Sequence, residues 1–306
     1  MSSSPSFGDP NWIHLDDGSR LYVEASAGSQ EETLLVPLAM WFAPDLELLA
    51  LGRRVVFYGL RGRSRSVAGE PQAIGIDADV RELEAVRDAL GIERVSILGW
   101  SYMGGVAARY ALRHPEHVDK LVLVAPLPLR KEPYWDQFKE RFRAKVDPED
   151  LHRLETALAD KELGETRRDQ VHRHFLAATM PAYVSDPDSL GRMQSRPWSK
   201  LDERPDRAAA WQERVHVRLG DWDWRGEMAT LTCPVLIVQG TDDVLPAASS
   251  REWEATLQDG RLLELDGIGH LPWLEDPFSF FVQIESFLAD ELDEAVLFQI
   301  AEAVSE

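Results

Sequence analysis

The chain has a single cysteine, Cys233, among its 306 residues. One cysteine cannot close an internal disulfide. At the head of the apolar run "CPVLIVQG" it reads as a small buried residue. No window approaches the roughly 18 consecutive apolar residues of a spanning helix, so no transmembrane segment is expected. The opening "MSSSPSFGDP" is polar and lacks the apolar core of a secretory leader, which predicts a cytoplasmic protein. Positive charge is scarce: 33 Lys and Arg stand against 53 Asp and Glu, a formal net charge of −20. Such a surface repels phosphate backbones and anionic lipid, so neither nucleic acid nor membrane is expected as a partner. There is no CxxC, HExxH or P-loop pattern, and no metal or redox cofactor is implied. Internal repeats and low-complexity linkers are also missing.

What is present is an ordinary globular balance, 44% hydrophobic and 28% charged, enough for a sizeable core. "WIHLDDGSRLYVEAS" (Trp12–Ser26) predicts a hairpin of two short strands. Then apolar strands alternate with helical segments: "TLLVPLA", a short helix at "DLELLALG", "RRVVFYG", the helix "DADVRELEAVRDALG", "RVSILG", the helix "MGGVAARYALRHP" and "DKLVLVAP". Continuous apolar strands joined by helices predict a mostly parallel sheet covered on both faces, an α/β fold. The alternation stops from about Leu127 to Leu231, a charged, helical segment holding half of the ten tryptophans, among them Trp135, Trp222 and Trp224. It resumes at "CPVLIVQG", followed by a helix near "SSREWEATL", the strand "GRLLELDG" and a closing helix from about Asp276 to Leu288. The expected organisation is therefore a core domain of residues 1–126 and 232–306 with a helical insertion, 127–231. The tail "DELDEAVLFQIAEAVSE" predicts an amphipathic helix with Leu292, Val296, Leu297 and Ile300 on one face. That face packs on its own domain or meets a second subunit, so a homo-oligomer is one expectation.

Chemistry concentrates at three loops. In "VSILGWSYMGG" a strand ends and a helix begins around Ser101. A serine on such a turn is lifted out of the sheet, and the helix N-terminus above it favours an alkoxide and the oxyanion formed after attack. The bland alternative is a serine N-cap. A serine nucleophile needs a base and an orienting group. "QGTDDVLP" offers Asp242 and Asp243, and "GIGHLPW" offers His270, each after a strand and so at the sheet edge that Ser101 occupies. Of the other histidines, His114 and His117 only flank a helix-ending proline.

These three sites in this order, from "DDGSRLYVEAS" to "PFSFFVQIESFL", resemble the α/β-hydrolase family with an inserted helical cap, nearest in style to its proline iminopeptidase and esterase branch. The resemblance implies Ser101 as nucleophile, His270 as base and then acid, and Asp243 as the orienting acid, with Asp242 as the fallback. It also implies an oxyanion hole from the backbone N–H of Tyr102 and one from the loop "VPLAMWFAP", expected at Ala39, with Leu38 or Met40 as alternatives. Four features depart from the family pattern. Met103 stands where the elbow usually has glycine, and is expected to crowd it. The oxyanion loop is not His-Gly rich. Gly59 replaces a usual aspartate in "YGLRGRSRS", whose Arg61, Arg63 and Arg65 read as structural or solvated. The "GGSWG"-like elbow of the iminopeptidases is absent.

A serine nucleophile suits acyl transfer, in contrast to the aspartate of dehalogenases and epoxide hydrolases in this fold. Aromatics crowd the expected site on a small-molecule substrate: Trp41, Phe42, Trp100, Trp273 and, from the insertion, Tyr134 and Trp135, with Met103 beside them. The leading expectation is a serine hydrolase of carboxylic esters or lactones with a bulky hydrophobic or aromatic part. The alternatives are an iminopeptidase-like aminopeptidase, with insertion carboxylates such as Glu149, Asp150 and Glu155 converging over Ser101, a carbon–carbon bond hydrolase, or a binding or receptor protein of low turnover. In each hydrolase, acylation is expected to fall at acidic pH as His270 is protonated.

Overall fold

The computed structural model describes residues 11–28, 32–38, 42–63, 65–69, 75–159, 171, 174–194, 218–290 and 293–305. The expected hairpin is formed by β1 (Asn11–His14) and β2 (Arg20–Ala25), antiparallel to each other. β3 (Thr33–Leu38), β4 (Arg54–Gly59), β5 (Val95–Trp100) and β6 (Val118–Val124) follow, with α1 (Ile76–Ala89) before β5 and α2 (Tyr102–Arg113) after it. Between β6 and β7 (Val235–Gly240) come α3 (Tyr134–Lys145), α4 (Pro148–Ala159), 3-10 turns at Met180–Tyr183 and Pro187–Arg192, and the short α5 (Arg225–Met228). α6 (Ala247–Thr256), β8 (Gly260–Leu265), α7 (Pro272–Glu275), α8 (Pro277–Leu288) and α9 (Glu294–Ala303) complete the chain. The short helix expected at "DLELLALG" is a 3-10 helix, Pro44–Ala50.

The eight strands form one sheet in the order β1-β2-β4-β3-β5-β6-β7-β8. Only the β1–β2 and β2–β4 pairs are antiparallel. β3 is buried at every position, as a two-sided strand must be. It carries Pro37, which has no N–H to donate, and its pairing with β5 is confined to Leu34 and Leu35, below the proline. The two sheet faces carry separate apolar clusters. One holds Val80, Leu83 and Val86 of α1 with Val106 and Tyr110 of α2. The other holds Phe42, Trp273 and Phe280. Val296 and Ile300 of α9 lie in that second cluster, so this face of the tail packs on its own domain. Phe298 of the same helix is 70% exposed, and Leu292 lies outside the described residues.

Because every parallel strand points the same way, the loops after β5, β7 and β8 open at one edge of the sheet. Those loops carry Ser101, Asp243 and His270.

Candidate active site

Ser101 is the one residue between β5 and α2, and its backbone sits at φ 55° and ψ −123°. A non-glycine residue there is strained by about 1–3 kcal/mol and persists only where its surroundings force it. Three hydrogen bonds do so. Ser101 N donates to Val124 O (2.9 Å), and Ser101 O accepts from Gly104 N (3.0 Å) and Leu127 N (2.9 Å). The turn is so tight that a Cβ on Gly99 would lie 2.4 Å from Met103 O, and one on Gly104 would lie 2.8 Å from Pro126 Cβ. Close approach is thus absorbed by Gly99 and by Gly104, one step later than in the usual pattern. That leaves position 103 room for a side chain. Met103 is 4% exposed and joins the cluster of Val106 and Tyr110, so it packs into the core rather than against the aromatic residues around His270.

Asp243 and His270 are 1% and 2% exposed and face each other, His270 Nδ1 to Asp243 Oδ2, at 2.9 Å. Asp243 Oδ2 also accepts from Gln239 Nε2 (2.9 Å), and Oδ1 accepts from Leu245 N (2.8 Å). A carboxylate is acceptor only, so His270 Nδ1 is the donor of this hydrogen bond. Asp242 is turned elsewhere, to Lys145 of α3 at 2.9 Å. The "GTDD" ambiguity thus resolves geometrically: only Asp243 meets the histidine.

His270 is held from several sides. Its N–H donates to Tyr183 O (2.7 Å), and its carbonyl accepts from Trp100 Nε1 (2.9 Å). The Tyr183 ring lies 5.4 Å from the imidazole, and burial, with the Asp243 charge, pushes the Tyr183 hydroxyl up to about 12. Glu275 ties two segments together: Oε2 accepts from Gly269 N (2.7 Å), and Oε1 from Ser185 N (2.7 Å) and Asp186 N (2.9 Å). A Cβ on Gly269 would come within 2.7 Å of Tyr183 O, which is why glycine precedes the histidine. Gln239, Tyr183 and Glu275 were not singled out from the sequence. Gln239 and Glu275 do lie beside the acid and histidine motifs, but nothing local marks Tyr183.

Of the expected pocket residues, Phe42, Trp100 and Trp273 cluster edge-on, with centroids 5.0–5.5 Å apart, and Trp100 lies 5.1 Å from His270. Tyr134 and Trp135 do not join that cluster. Tyr134 reaches Ala248 O (3.4 Å), and Trp135 packs on Trp222 (6.0 Å). Trp135 instead begins a row along α3, through Phe138 (5.2 Å) and Phe142 (5.9 Å) to Tyr183 (5.5 Å) and so to His270. Ala39, Met40 and Trp41 lie outside the described residues, while Leu38 is the buried last residue of β3. Tyr102 opens α2, so its N–H is among the helix's leading amides, beside Ser101. Glu149 and Asp150 pair with Arg153 on the surface of α4, and the Glu155 side chain is outside the described set. Arg61 is a buried ion-pair partner of Asp17 and Glu82, and Arg65 donates to Tyr22 Oη (2.9 Å).

One group among the described residues has metal-ligand chemistry: Glu84, His114 and His117, whose donor atoms lie within 4.8 Å of one another. The His114 and His117 rings stack at 5.8 Å. Glu84 is already engaged, by Arg87 at 2.7 and 3.0 Å and by Tyr110 Oη at 2.6 Å. Burial pulls its carboxyl up, but Arg87 and Tyr110 outweigh that and hold it at about 2. A cation would have to displace the guanidinium or sit beside it. The cluster is an ion-pair site at the far end of α2 from Ser101, about 18 Å along a helix of this length.

The comparisons agree with this architecture. The sequence profile of the family described as "alpha/beta hydrolase fold" matches residues 37–277, and the chain belongs to that family. A pimeloyl-[acyl-carrier protein] methyl ester esterase of Aromatoleum aromaticum is 32% identical over 246 residues, 74% of this chain and 87% of the relative. Among solved structures, a proline iminopeptidase of Mycobacterium smegmatis is 22% identical with a TM-score of 0.65, covering 92% of this chain and 97% of its own. An esterase from Exiguobacterium antarcticum is 19% identical with a TM-score of 0.66, covering 91% and 98%. Within the family, this chain sits in the branch that holds proline iminopeptidases and esterases. No helix among the described residues is long and apolar enough to cross a membrane.

Proposed function

We propose that the protein is a serine hydrolase of carboxylic esters or lactones with a bulky hydrophobic or aromatic part, working through Ser101, His270 and Asp243. The observation that carries this reading is the buried His270–Asp243 pair, whose carboxylate also accepts from Gln239 and Leu245, at the sheet edge where Ser101 stands strained between β5 and α2. In the proposed cycle, Ser101 Oγ attacks the substrate carbonyl as its proton passes to His270 Nε2. The resulting oxyanion is held by the Tyr102 N–H and by a donor from the loop after β3, expected at Ala39. His270 then protonates the leaving alcohol, or the ring oxygen of a lactone, and the acyl-enzyme forms. Water that loses its proton to the same nitrogen releases the acid and restores Ser101. Asp243 orients the ring and stabilises the imidazolium in both halves.

The segment between β6 and β7, residues 127–231, acts as a helical cap in this reading. The aromatic cluster of Phe42, Trp100 and Trp273, continued by the row Trp135–Phe138–Phe142–Tyr183, favours an apolar or aromatic acyl group. The methyl ester esterase relative supports ester chemistry. The test is turnover of p-nitrophenyl esters of graded acyl length beside proline p-nitroanilide, on wild type and Ser101→Ala, with a fluorophosphonate probe on both. Ester cleavage and labelling that vanish together in the variant are expected. Anilide cleavage by the wild type would favour an aminopeptidase instead, and an intact but unlabelled wild type would remove any serine mechanism.

A further inference from the structure

Behind the elbow lies a buried acidic group that the mechanism above does not use. The Tyr102 hydroxyl donates to Asp79 Oδ2 at 2.7 Å, which links the first residue of α2 to the first turn of α1. Asp79 and Glu82 are each 1% exposed and stand three residues apart on one face of α1. Three buried oxygens there have no hydrogen-bond partner among the described residues: Asp79 Oδ1, Glu82 Oε2 and Tyr58 Oη. Their side chains interact electrostatically with one another. The cations in reach do not neutralise the group. Arg61, from the loop after β4, is divided between Glu82 and Asp17, and Arg81 acts on Asp79 only through its charge. Tyr110, from α2, adds a neutral phenol beside Tyr58, and Asp77 faces Tyr102. Two adjacent buried carboxylates with less than one full cation between them do not both ionise.

We propose that Asp79 is a positioning residue for the oxyanion side of the active site: it holds a proton at neutral pH, anchors the Tyr102 phenol, and thereby fixes the peptide N–H that follows the nucleophile. This rests on the serine-hydrolase reading above. A carboxylic O–H on Asp79 adds a donor to a set of oxygens otherwise rich in acceptors, and its carbonyl oxygen still accepts from Tyr102. Burial first, and then the Glu82 charge, raise the Asp79 carboxyl to about 8, against the opposing pull of Tyr102, Arg61 and Arg81. Losing that proton places a negative charge on the far side of the very residue whose N–H stabilises the anionic intermediate. The rate therefore has an alkaline limb set by Asp79.

The experiment compares wild type, Asp79→Asn and Asp79→Ala from pH 6 to 10 with one ester substrate. Asparagine keeps the acceptor for Tyr102 but cannot titrate. Alanine removes the anchor. The expected result is a wild-type kcat that falls above about pH 8 and an Asp79→Asn profile without that fall. At pH 7, Asp79→Ala should lose about tenfold in kcat with KM little changed, as expected for a residue acting only in the transition state, and asparagine should recover most of it. An alkaline limb that survives in Asp79→Asn, or equal losses in both variants, would overturn the proposal. Should Asp79→Ala fail to fold, the two remaining profiles decide. A readout independent of turnover separates this from the wider reading. A proton bound in the folded state and absent from the unfolded one makes the wild-type folding constant drop tenfold per pH unit relative to Asp79→Asn between about pH 5 and 7. If Ser101→Ala keeps turnover, the serine mechanism fails while this stability difference remains. If the two stability curves run parallel, the Asp79 proton fails on its own.

Discussion

Asp243→Asn tests the geometry of the site most directly. Asp243 accepts three hydrogen bonds, from His270 Nδ1 and Gln239 Nε2 on Oδ2 and from Leu245 N on Oδ1. Asparagine offers one oxygen and one NH2 group. If the oxygen stays on Leu245, the NH2 faces two donors, and His270 must turn over to the tautomer that accepts at Nδ1 and carries its hydrogen on Nε2. That tautomer cannot take a proton from Ser101. Loss of the correct tautomer in a triad of this kind lowers the rate by about 10⁴, or about 5.5 kcal/mol in the barrier. If the amide flips instead, the Leu245 N–H is left buried against an NH2 group, which costs about 1–3 kcal/mol of stability. Either rotamer damages something measurable. The assay is kcat/KM on a p-nitrophenyl ester together with the urea midpoint of each variant. Asp242→Asn is the control: its half-exposed pair with Lys145 contributes about 0–1 kcal/mol, so its rate should stay within about threefold of wild type. A tenfold loss or less in Asp243→Asn with an unchanged urea midpoint, or an equal rate loss in Asp242→Asn, would refute the assignment of the acid.

Two further substitutions or modifications probe the frame around the site. Gly99→Ala would bring a Cβ to 2.4 Å from the Met103 carbonyl oxygen, an overlap with backbone that cannot rotate away, so a loss of about 3 kcal/mol is expected in urea unfolding. A loss under about 0.5 kcal/mol would show that the elbow is looser than described. Burial pushes the Cys233 thiol up to about 11, so iodoacetamide should modify the folded protein at pH 8 at least about a hundredfold more slowly than the urea-unfolded chain. Comparable rates would place that thiol at the surface.

The strand–helix alternation, the antiparallel hairpin and the position of Ser101 were all legible in the sequence, because each depends on local periodicity and on glycines beside a turn. The carboxylate partner of His270 was legible only as a pair of adjacent aspartates. Which of them faces His270 is decided by Lys145, nearly a hundred residues upstream, and by Gln239. Met103 was read as crowding the elbow because the motif implies that the tight contact falls at that position. The contact falls on Gly104 against Pro126, a long-range fact that no spacing reveals. Nothing local marks Asp79 and Glu82, whose i, i+3 spacing is common on an amphipathic helix. Only the partners brought by β4 and α2 make them a buried pair.

The segment between β6 and β7 is bonded to the loops that carry Asp243 and His270. Lys145 of α3 donates to the Asp242 carbonyl at 2.9 Å, and Arg141 donates to the Asp243 carbonyl at 3.2 Å. Tyr183 accepts the His270 N–H, and the Ser185 and Asp186 N–H groups end on the same Glu275 carboxylate that receives Gly269 N–H. Both the Asp243 loop and the His270 loop are thus bonded, through their main chains, to Arg141, Lys145 and Tyr183. If this segment moves as a lid, it cannot open as a unit without releasing those bonds, which hold the backbones of both loops. Substrate entry must then use a route that leaves Tyr183–Asp186 seated, or the geometry of the site must be rebuilt at every closure. The density of hydrogen bonds around Glu275, three N–H groups on one carboxylate, argues for the first route: a joint broken in each cycle would not be tied so fully to the base it holds.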